Sequence, residues 1–209
     1  MATESLINLT EGAGKKQHTV SRVVGANTVE DTIALIGEQY LASYNAGNTA
    51  AISFATANSH LFQVMAGASL RVYIRRIRVF QMVVATTAAF AQVQVLRLTT
   101  AGTGGTALTP SPKDPAAAAS GHTFMTLPTV KGTEGVQVDA GTAQFTQTIA
   151  TQAPGYRAAL IFEANYDVLR ETALIIAAGA ANGICLKLVT AIAAATGFVV
   201  VDTSESNFT

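Results

Sequence analysis

The chain has 209 residues with 13 basic and 13 acidic side chains, so its formal net charge is zero, and only 12% of its residues are charged. A zero net charge argues against direct nucleic-acid binding, because proteins of that class gain affinity by neutralising phosphates. The single cysteine, Cys185, excludes an intramolecular disulfide framework and a zinc site built from cysteines. A chain of this length buries enough surface to need neither.

The first 38 residues differ from the rest in composition. They hold eight charged side chains and few aromatic residues, and the first sixteen contain no apolar block. We therefore predict an extended N-terminal arm over residues 1–38, with a helical turn near residues 29–37 and no secretion signal. The arm is expected to pack on a neighbouring copy or a partner, and residues 39–209 are predicted to form a single domain.

Short strands dominate the predicted structure of residues 39–209. Alternation of apolar and polar residues with a period of two marks residues 60–65, 71–74, 91–98 and 144–149 as strands. Further candidate strands are residues 51–56, 136–140, 157–162, 173–177, 184–189 and 197–201. Many short strands separated by turn-rich segments are typical of an all-β sandwich or barrel.

The most apolar stretch is residues 79–96, which carry no charge. It contains three glutamines and a pair of threonines in its middle, and these are costly inside a bilayer. We predict two strands joined near Thr86 and Thr87, and a soluble protein with no membrane partner.

Residues 99–128 interrupt the rhythm of the strands. They hold four of the five prolines, a glycine-rich run at 102–105 and four alanines at 116–119. We predict a long surface loop rich in glycine, proline and alanine, because loops of this length are usually functional or mobile. Within it, Asp114 and Pro115 have the residue types that begin a helical turn.

Four arginines, Arg71, Arg75, Arg76 and Arg78, fall in one predicted strand, and no carboxylate occurs from residue 39 to residue 113. One interpretation is a solvated edge or face whose charges resist aggregation. The other is a basic patch that meets an acidic partner surface. Acidic partners for these arginines are expected from another molecule or from distant carboxylates, namely Glu134, Asp139, Glu163, Asp167 and Glu171.

The alternation of this arginine strand breaks at its centre. Val72 and Ile74 have one parity, whereas Ile77 and Val79 have the other. A β-bulge at Arg75 and Arg76 would restore one apolar face, so we predict a bulge there.

Residues able to support catalysis are few and scattered. His18, His60 and His122 show no metal-ligand spacing, and Cys185 lies between apolar residues where a buried, inert thiol is expected. The sequence therefore predicts no enzyme and no cofactor or metal site.

Two further patterns carry no recognised chemistry. Glu163, Asp167 and Glu171 would share a helix face, but the residues between them favour a solvated loop. The glycine run at 102–105 lacks the lysine and hydroxyl residue that end a phosphate-binding loop.

With the strand pattern in place, two segments resemble small virion proteins of tailed bacteriophages. Residues 92–110 join a strand to a loop that reads Gly-Gly-Thr-Ala-Leu-Thr-Pro at 104–110, and residues 174–201 resemble the closing strands of the sandwich domain of that family. The resemblance implies a jelly-roll-like antiparallel β-sandwich that decorates and cements a capsid as a homotrimer bound to the major capsid protein. It also implies a place on the capsid surface of the virion and synthesis in the host cytoplasm.

The same patterns are compatible with other functions. One is a fibre, tail or neck component of the virion, and another is an enzyme whose site would need a cleft with convergent titratable residues. A third is a receptor- or carbohydrate-binding jelly-roll module, whose aromatic platform would have to come from Tyr40, Tyr44, Tyr73, Tyr156 and Tyr166.

Overall fold

A computed structural model describes residues 3–8, 16–24, 27–32, 40–83, 85, 87–145, 159–166 and 174–206, with side chains from residue 42 onward. The chain divides into two compact units, Met1–Glu38 and Gln39–Thr209. Each unit has its own antiparallel β-structure.

The N-terminal unit contains a three-stranded meander of β1 (Thr3–Asn8), β2 (Lys16–Val24) and β3 (Asn27–Thr32). Its central strand pairs antiparallel with both neighbours. The sequence predicted an extended arm here, and the described residues of this unit form strands that pair with one another. That the arm packs on a neighbouring copy or a partner stays a prediction. The predicted helical turn is wrong over residues 29–32, which belong to β3, and its remaining residues lie outside the described part of the chain.

The second unit is built from thirteen strands, and the described residues contain no helix. The strands are β4 (Tyr40–Gly47), β5 (Ile52–Ser53), β6 (Ser59–Met65), β7 (Arg71–Val83), β8 (Ala89–Leu98), β9 (Thr106–Leu108), β10 (Ser111–Pro112), β11 (Thr123–Thr126), β12 (Glu134–Phe145), β13 (Ala159–Asn165), β14 (Leu174–Ile176), β15 (Gly183–Leu188) and β16 (Thr196–Ser206). They form two antiparallel sheets packed as a sandwich, which confirms the predicted fold class.

The strand pairing is that of a jelly roll. One sheet has the order β10-β4-β16-β7-β13, with β14 also on β7 and β5 on β16, and the other has the order β12-β8-β15-β6-β11-β9. The eight long strands pair as nested hairpins: β4 with β16, β6 with β15, β7 with β13 and β8 with β12. The chain is thus one long hairpin wrapped around a core, in which alternate residues of each strand point inward.

The apolar stretch at residues 79–96 is divided between β7 and β8, as predicted. In β8, Val93 and Val95 are buried, whereas Gln92 is exposed. The alternation in the sequence therefore correctly predicted which of these side chains face the core. No described residue lies in a helix long and apolar enough to cross a membrane.

The segment predicted as a long loop at residues 99–128 contains three short strands, and most of its other residues are in turns and loops. Its short strands β9 and β11 extend one sheet beyond β6, and β10 extends the other sheet beyond β4. The predicted helical turn is a single hydrogen-bonded turn, in which the backbone N–H groups of Ala116 and Ala117 donate to the side chain and carbonyl of Asp114. The segment therefore covers the edge of both sheets on one side of the sandwich, a common protection against unwanted strand pairing.

The predicted bulge in β7 is confirmed. Asp202 lies opposite Arg76 on β16, but the next residue, Thr203, lies opposite Ile74, so Arg75 is the extra residue. The bulge changes the phase of the strand, and the apolar residues on both sides of it therefore enter the same core.

Candidate functional site

The four arginines of the predicted patch are all half-buried on β7. The side chains that point inward on both sides of the bulge belong to the core. Because side chains alternate between the two faces of a strand, Arg71, Arg76 and Arg78 lie on the outer face of the sheet. Arg75 is the extra residue and projects from the bulge itself. The structure thus brings the patch together on one face, and the bulge is the reason.

Three of these arginines have partners within the chain. Arg76 forms an ion pair with Glu163 on β13, and Arg75 donates from Nε to the hydroxyl of Ser204 at 2.9 Å. Among the described residues, no carboxylate pairs with Arg71. Of the five carboxylates proposed from the sequence as partners, Glu163 serves this role.

Asp202 is the partner that sequence reasoning missed. Its carboxylate lies 3.0 Å from Arg78 Nη2 and 2.8 Å from Lys113 Nζ, and Asn45 donates to it at 3.1 Å. Burial raises the pKa of Asp202, but the bonds from Lys113 and Asn45 and the charges of Lys113 and Arg78 outweigh it and hold the pKa below its usual value. The aspartate is therefore ionised at neutral pH and anchors two cations.

A groove of about 430 Å³ opens beside this cluster. Its walls include Arg75, Arg76 and Lys113 as cations and Asp202 as the acidic residue, together with Ser43. Cationic side chains at the rim of a groove favour acidic groups of a binding partner and set the salt dependence of the encounter. The arrangement can bind and orient an anion, but it contains no nucleophile with an adjacent base.

A second polar cluster lies inside the sandwich at the covered side. Glu205 and Thr203 stand opposite the core residues Val72 and Ile74, so their side chains point inward from β16. His122 lies between them, with Nδ1 2.7 Å from Glu205 Oε1 and Nε2 3.0 Å from Thr203 Oγ1.

The carboxylate of Glu205 is held by backbone as well as by the imidazole. The N–H groups of Gly121 and His122 donate to it at 2.7 Å and 2.9 Å. Burial raises the pKa of Glu205, but the bonds from His122 and the two backbone groups outweigh it, so the pKa is below its usual value. Through these hydrogen bonds, the ionised carboxylate holds the backbone of residues 121–122 against β16.

A hydroxyl, an imidazole and a carboxylate in this order are the groups that activate a nucleophile in hydrolases. Here Thr203 is 1%, Glu205 2% and His122 3% exposed, so a substrate has no access to the hydroxyl. The cluster is therefore structural. His122 looks isolated in the sequence because its partners are 81 and 83 residues away.

A third cluster surrounds Glu134 at the start of β12. Its carboxylate lies 3.0 Å from Nε2 of the buried His60 and receives hydrogen bonds from Lys187 at 2.8 Å and Lys131 at 3.2 Å. Burial raises the pKa of Glu134, but these three bonds lower it to about 2. Burial lowers the pKa of His60 and outweighs the neighbouring carboxylate.

The structure identifies no site for a metal ion among the described residues. Cys185 is buried, and burial raises the pKa of its thiol to about 12, which leaves it unreactive. Glu163 lies in a strand, so at this residue both the predicted solvated loop and the alternative of a helix face are wrong. Asp167, Glu171 and the side chain of His18 lie outside the described residues.

Tyrosines give little support to an aromatic platform in the described part of the chain. Tyr44 and Tyr73 are buried, and Tyr166 donates its hydroxyl to Asp139 at 2.8 Å. The side chains of Tyr40 and Tyr156 lie outside the described residues.

Comparisons with models of known protein families, with curated protein sequences and with solved structures gave no match.

Proposed function

We propose that this protein is a structural virion protein, which decorates the capsid of a tailed bacteriophage and stabilises it as a homotrimer bound to the major capsid protein. The observation that carries the proposal is the division of the chain into a complete jelly roll and a separate three-stranded sheet. The sequence resemblance of residues 92–110 and 174–201 to phage virion proteins supplies the class of particle.

A sheet of three short strands is too small to bury a core by itself. Strands of six, nine and six residues need a covering surface for stability. Subunits of a shell meet this need with contacts to their neighbours, so an element of this kind supports a role in assembly.

The chemistry of the sandwich supports binding over catalysis. The buried side chains of Glu205 and His122 bond to each other, and Glu205 also accepts from the backbone. Three cations, Arg75, Arg76 and Lys113, line a groove together with Asp202. These groups suit a surface that recognises acidic residues on a partner, which strengthens association at low salt.

The mechanism of stabilisation follows from mass action. A protein that binds the assembled shell and not its free subunits lowers the free energy of the assembled state by an amount that grows with its concentration. No bond is made or broken, and the protein acts by bridging neighbouring subunits of the shell.

The test is to locate the chain in a particle that contains it. We expect cryo-electron microscopy of the virion to show the jelly roll on the outside of the capsid, at positions with threefold symmetry. Particles assembled without the protein should break at a lower temperature, and added protein should restore the difference. Density for the chain in the tail, neck or fibre, or no chain in the particle, would contradict the proposal.

A further inference from the structure

The two sides of the sandwich differ in whether additional short strands extend the edges of the sheets. On one side, β10 extends one sheet, and β9 and β11 extend the other. On the opposite side, the sheets end at β12 and β13, and within the described residues each of these strands has a paired neighbour on one edge alone. We call the surface formed by β12 and β13 the open side.

A groove of about 450 Å³ runs along the open side between the two edge strands. Its walls are residues 139–142 of β12 and 160–164 of β13. The two strands are held together by Phe162, whose ring packs against the backbone of Gly141, and by the hydrogen bond from Tyr166 to Asp139. The open side is therefore a formed surface with fixed walls.

The open side exposes apolar side chains. Val136 is 75%, Leu160 48% and Val138 40% exposed. Edge strands are often protected by lysine, by proline or by bulges. Both strands have breaks in register, but neither β12 nor β13 contains any lysine, arginine or proline. A sheet edge that exposes several apolar residues is typical of an interface.

The charged residues of β12 and β13 are Glu134, Asp139 and Glu163. Glu134 is paired with Lys131 and Lys187, and Glu163 with Arg76, whereas among the described residues no cation pairs with Asp139. On the outer face of β7, Arg76 and Arg78 are paired with carboxylates, whereas Arg71 has no carboxylate partner within the described part of the chain. Half-buried apolar side chains lie beside these arginines, namely Phe80, Phe198 and Val200.

We propose that the open side of one copy docks on the outer face of β7 and β16 of the next copy, head to tail. Both surfaces combine apolar residues with a charge that has no ion-pair partner among the described residues, Asp139 on the open side and Arg71 on β7, and these two charges have opposite sign, so a second copy of this chain fits the open side. Contacts between two different patches close into a ring when the rotation between copies allows it, which a homotrimer requires. The inference rests on the homotrimer of the proposed function and names the surfaces that form it.

Light scattering after size-exclusion chromatography tests the interface with matched valines. Val136→Lys places a cation on the open side, whereas Val130→Lys changes a valine that is 63% exposed outside β12 and β13. We expect the wild type and Val130→Lys to be trimers and Val136→Lys to associate at least tenfold more weakly. A trimer of unchanged affinity in Val136→Lys would overturn the inference and leave the proposed function standing, whereas a monomeric wild type would contradict the homotrimer itself.

A mixing experiment tests the head-to-tail geometry and guards against misfolding. Arg71→Glu damages the face on β7 and leaves the open side intact, and we expect this variant also to associate at least tenfold more weakly, with an unchanged thermal midpoint. Mixed with Val136→Lys, which keeps an intact face on β7, it should form a complex of two chains that neither variant forms alone. A mixture that stays monomeric would overturn the pairing of these two surfaces. Should Val136→Lys lose its fold, Leu160→Lys on β13 takes its place with the same expected results.

Discussion

The two sides of the sandwich show two ways to end a β-sheet. On the covered side, the chain uses its own residues 99–133 to extend both sheets, and two polar clusters fix them: Glu205 with His122, and Gln63 with Gly102. On the open side, β12 and β13 expose valine and leucine beside three carboxylates. This contrast, within the described residues, is the basis of the proposal that another copy of the chain completes the open side.

The covered side should depend most strongly on Glu205. Glu205→Ala removes the acceptor for two buried backbone N–H groups and for the imidazole of His122. Each buried donor left without an acceptor costs about 1–3 kcal/mol, so we expect the unfolding free energy to fall by several kcal/mol. Chemical denaturation monitored by circular dichroism measures it.

The matched control is Glu163→Ala. Glu163 also pairs with a cation, but its side chain is 30% exposed, and that of its partner Arg76 is 42% exposed. Exposed pairs contribute about 0–1 kcal/mol, so this variant should stay within that range. Equal losses of unfolding free energy in Glu205→Ala and Glu163→Ala would contradict the larger contribution to stability that we assign to Glu205.

A smaller effect is expected at Gln63, which fixes the segment that returns from β8. Its amide accepts from the backbone N–H of Gly102 at 2.9 Å and donates to the carbonyl of Gly102 at 3.2 Å, out of contact with water. Gln63→Met leaves both backbone groups buried without partners, which costs about 1–3 kcal/mol. Gln92→Met, at an exposed position on β8, is the control and should change the unfolding free energy little. Similar losses in both would contradict the assignment.

The sequence pattern predicted much of the sandwich, because strand alternation is local. Residues 91–98 show which side chains of β8 are buried, and the break in parity at Arg75 and Arg76 shows the bulge. The edge strands β9, β10 and β11 are too short for a periodic signal, since they exist by pairing with strands far away in the chain.

The polar clusters were missed for the same physical reason. The last residues of β16, Asp-Thr-Ser-Glu-Ser at 202–206, are polar and do not look like a buried strand. They are buried because distant residues supply their bonds, as Lys113 does for Asp202 and His122 does for Glu205. The one signal available was that this run of acids and hydroxyls directly follows the apolar residues 198–201.

Stability should fall as the pH is lowered, in two stages. The pKa of His60 in the folded protein is lowered from 6.5, so as the pH falls the imidazole takes up its proton in the unfolded state before it does so in the folded state. The free energy of unfolding therefore begins to fall below about pH 6.5. The pKa of Glu134 is about 2 against a usual 4.5, so its contribution is full above about 4.5 and is lost as the pH falls toward 2. Asp202 and Glu205, whose pKa values are also lowered, act in the same direction.

Denaturation curves between pH 2 and pH 7 measure this dependence. Glu134→Gln should flatten the stage below pH 4.5 and lower stability at neutral pH, because Lys187 and Lys131 lose their shared acceptor. A variant whose curve has the wild-type slope between pH 4.5 and pH 2 would contradict the role of Glu134.

The smallest effect on folding is expected from the outer arginines of β7. Arg76→Gln should change the unfolding free energy by less than about 1 kcal/mol, because its pair with Glu163 is exposed. Arg78→Gln should cost more, because its partner Asp202 is only 11% exposed as a side chain. Thermal unfolding of the two variants compares them, and a larger loss in Arg76→Gln would reverse this assignment.

Amide hydrogen exchange, followed by mass spectrometry at protein concentrations above and below the dissociation constant of the oligomer, tests most directly whether the open side is completed by another copy. We predict that peptides from β12 and β13 gain protection when the protein associates, because their free edges and walls become buried. Peptides from β9 and β11, which are already paired within the chain, should exchange alike at both concentrations. Exchange in β12 and β13 that does not change with concentration, in a protein that does associate, would contradict the account.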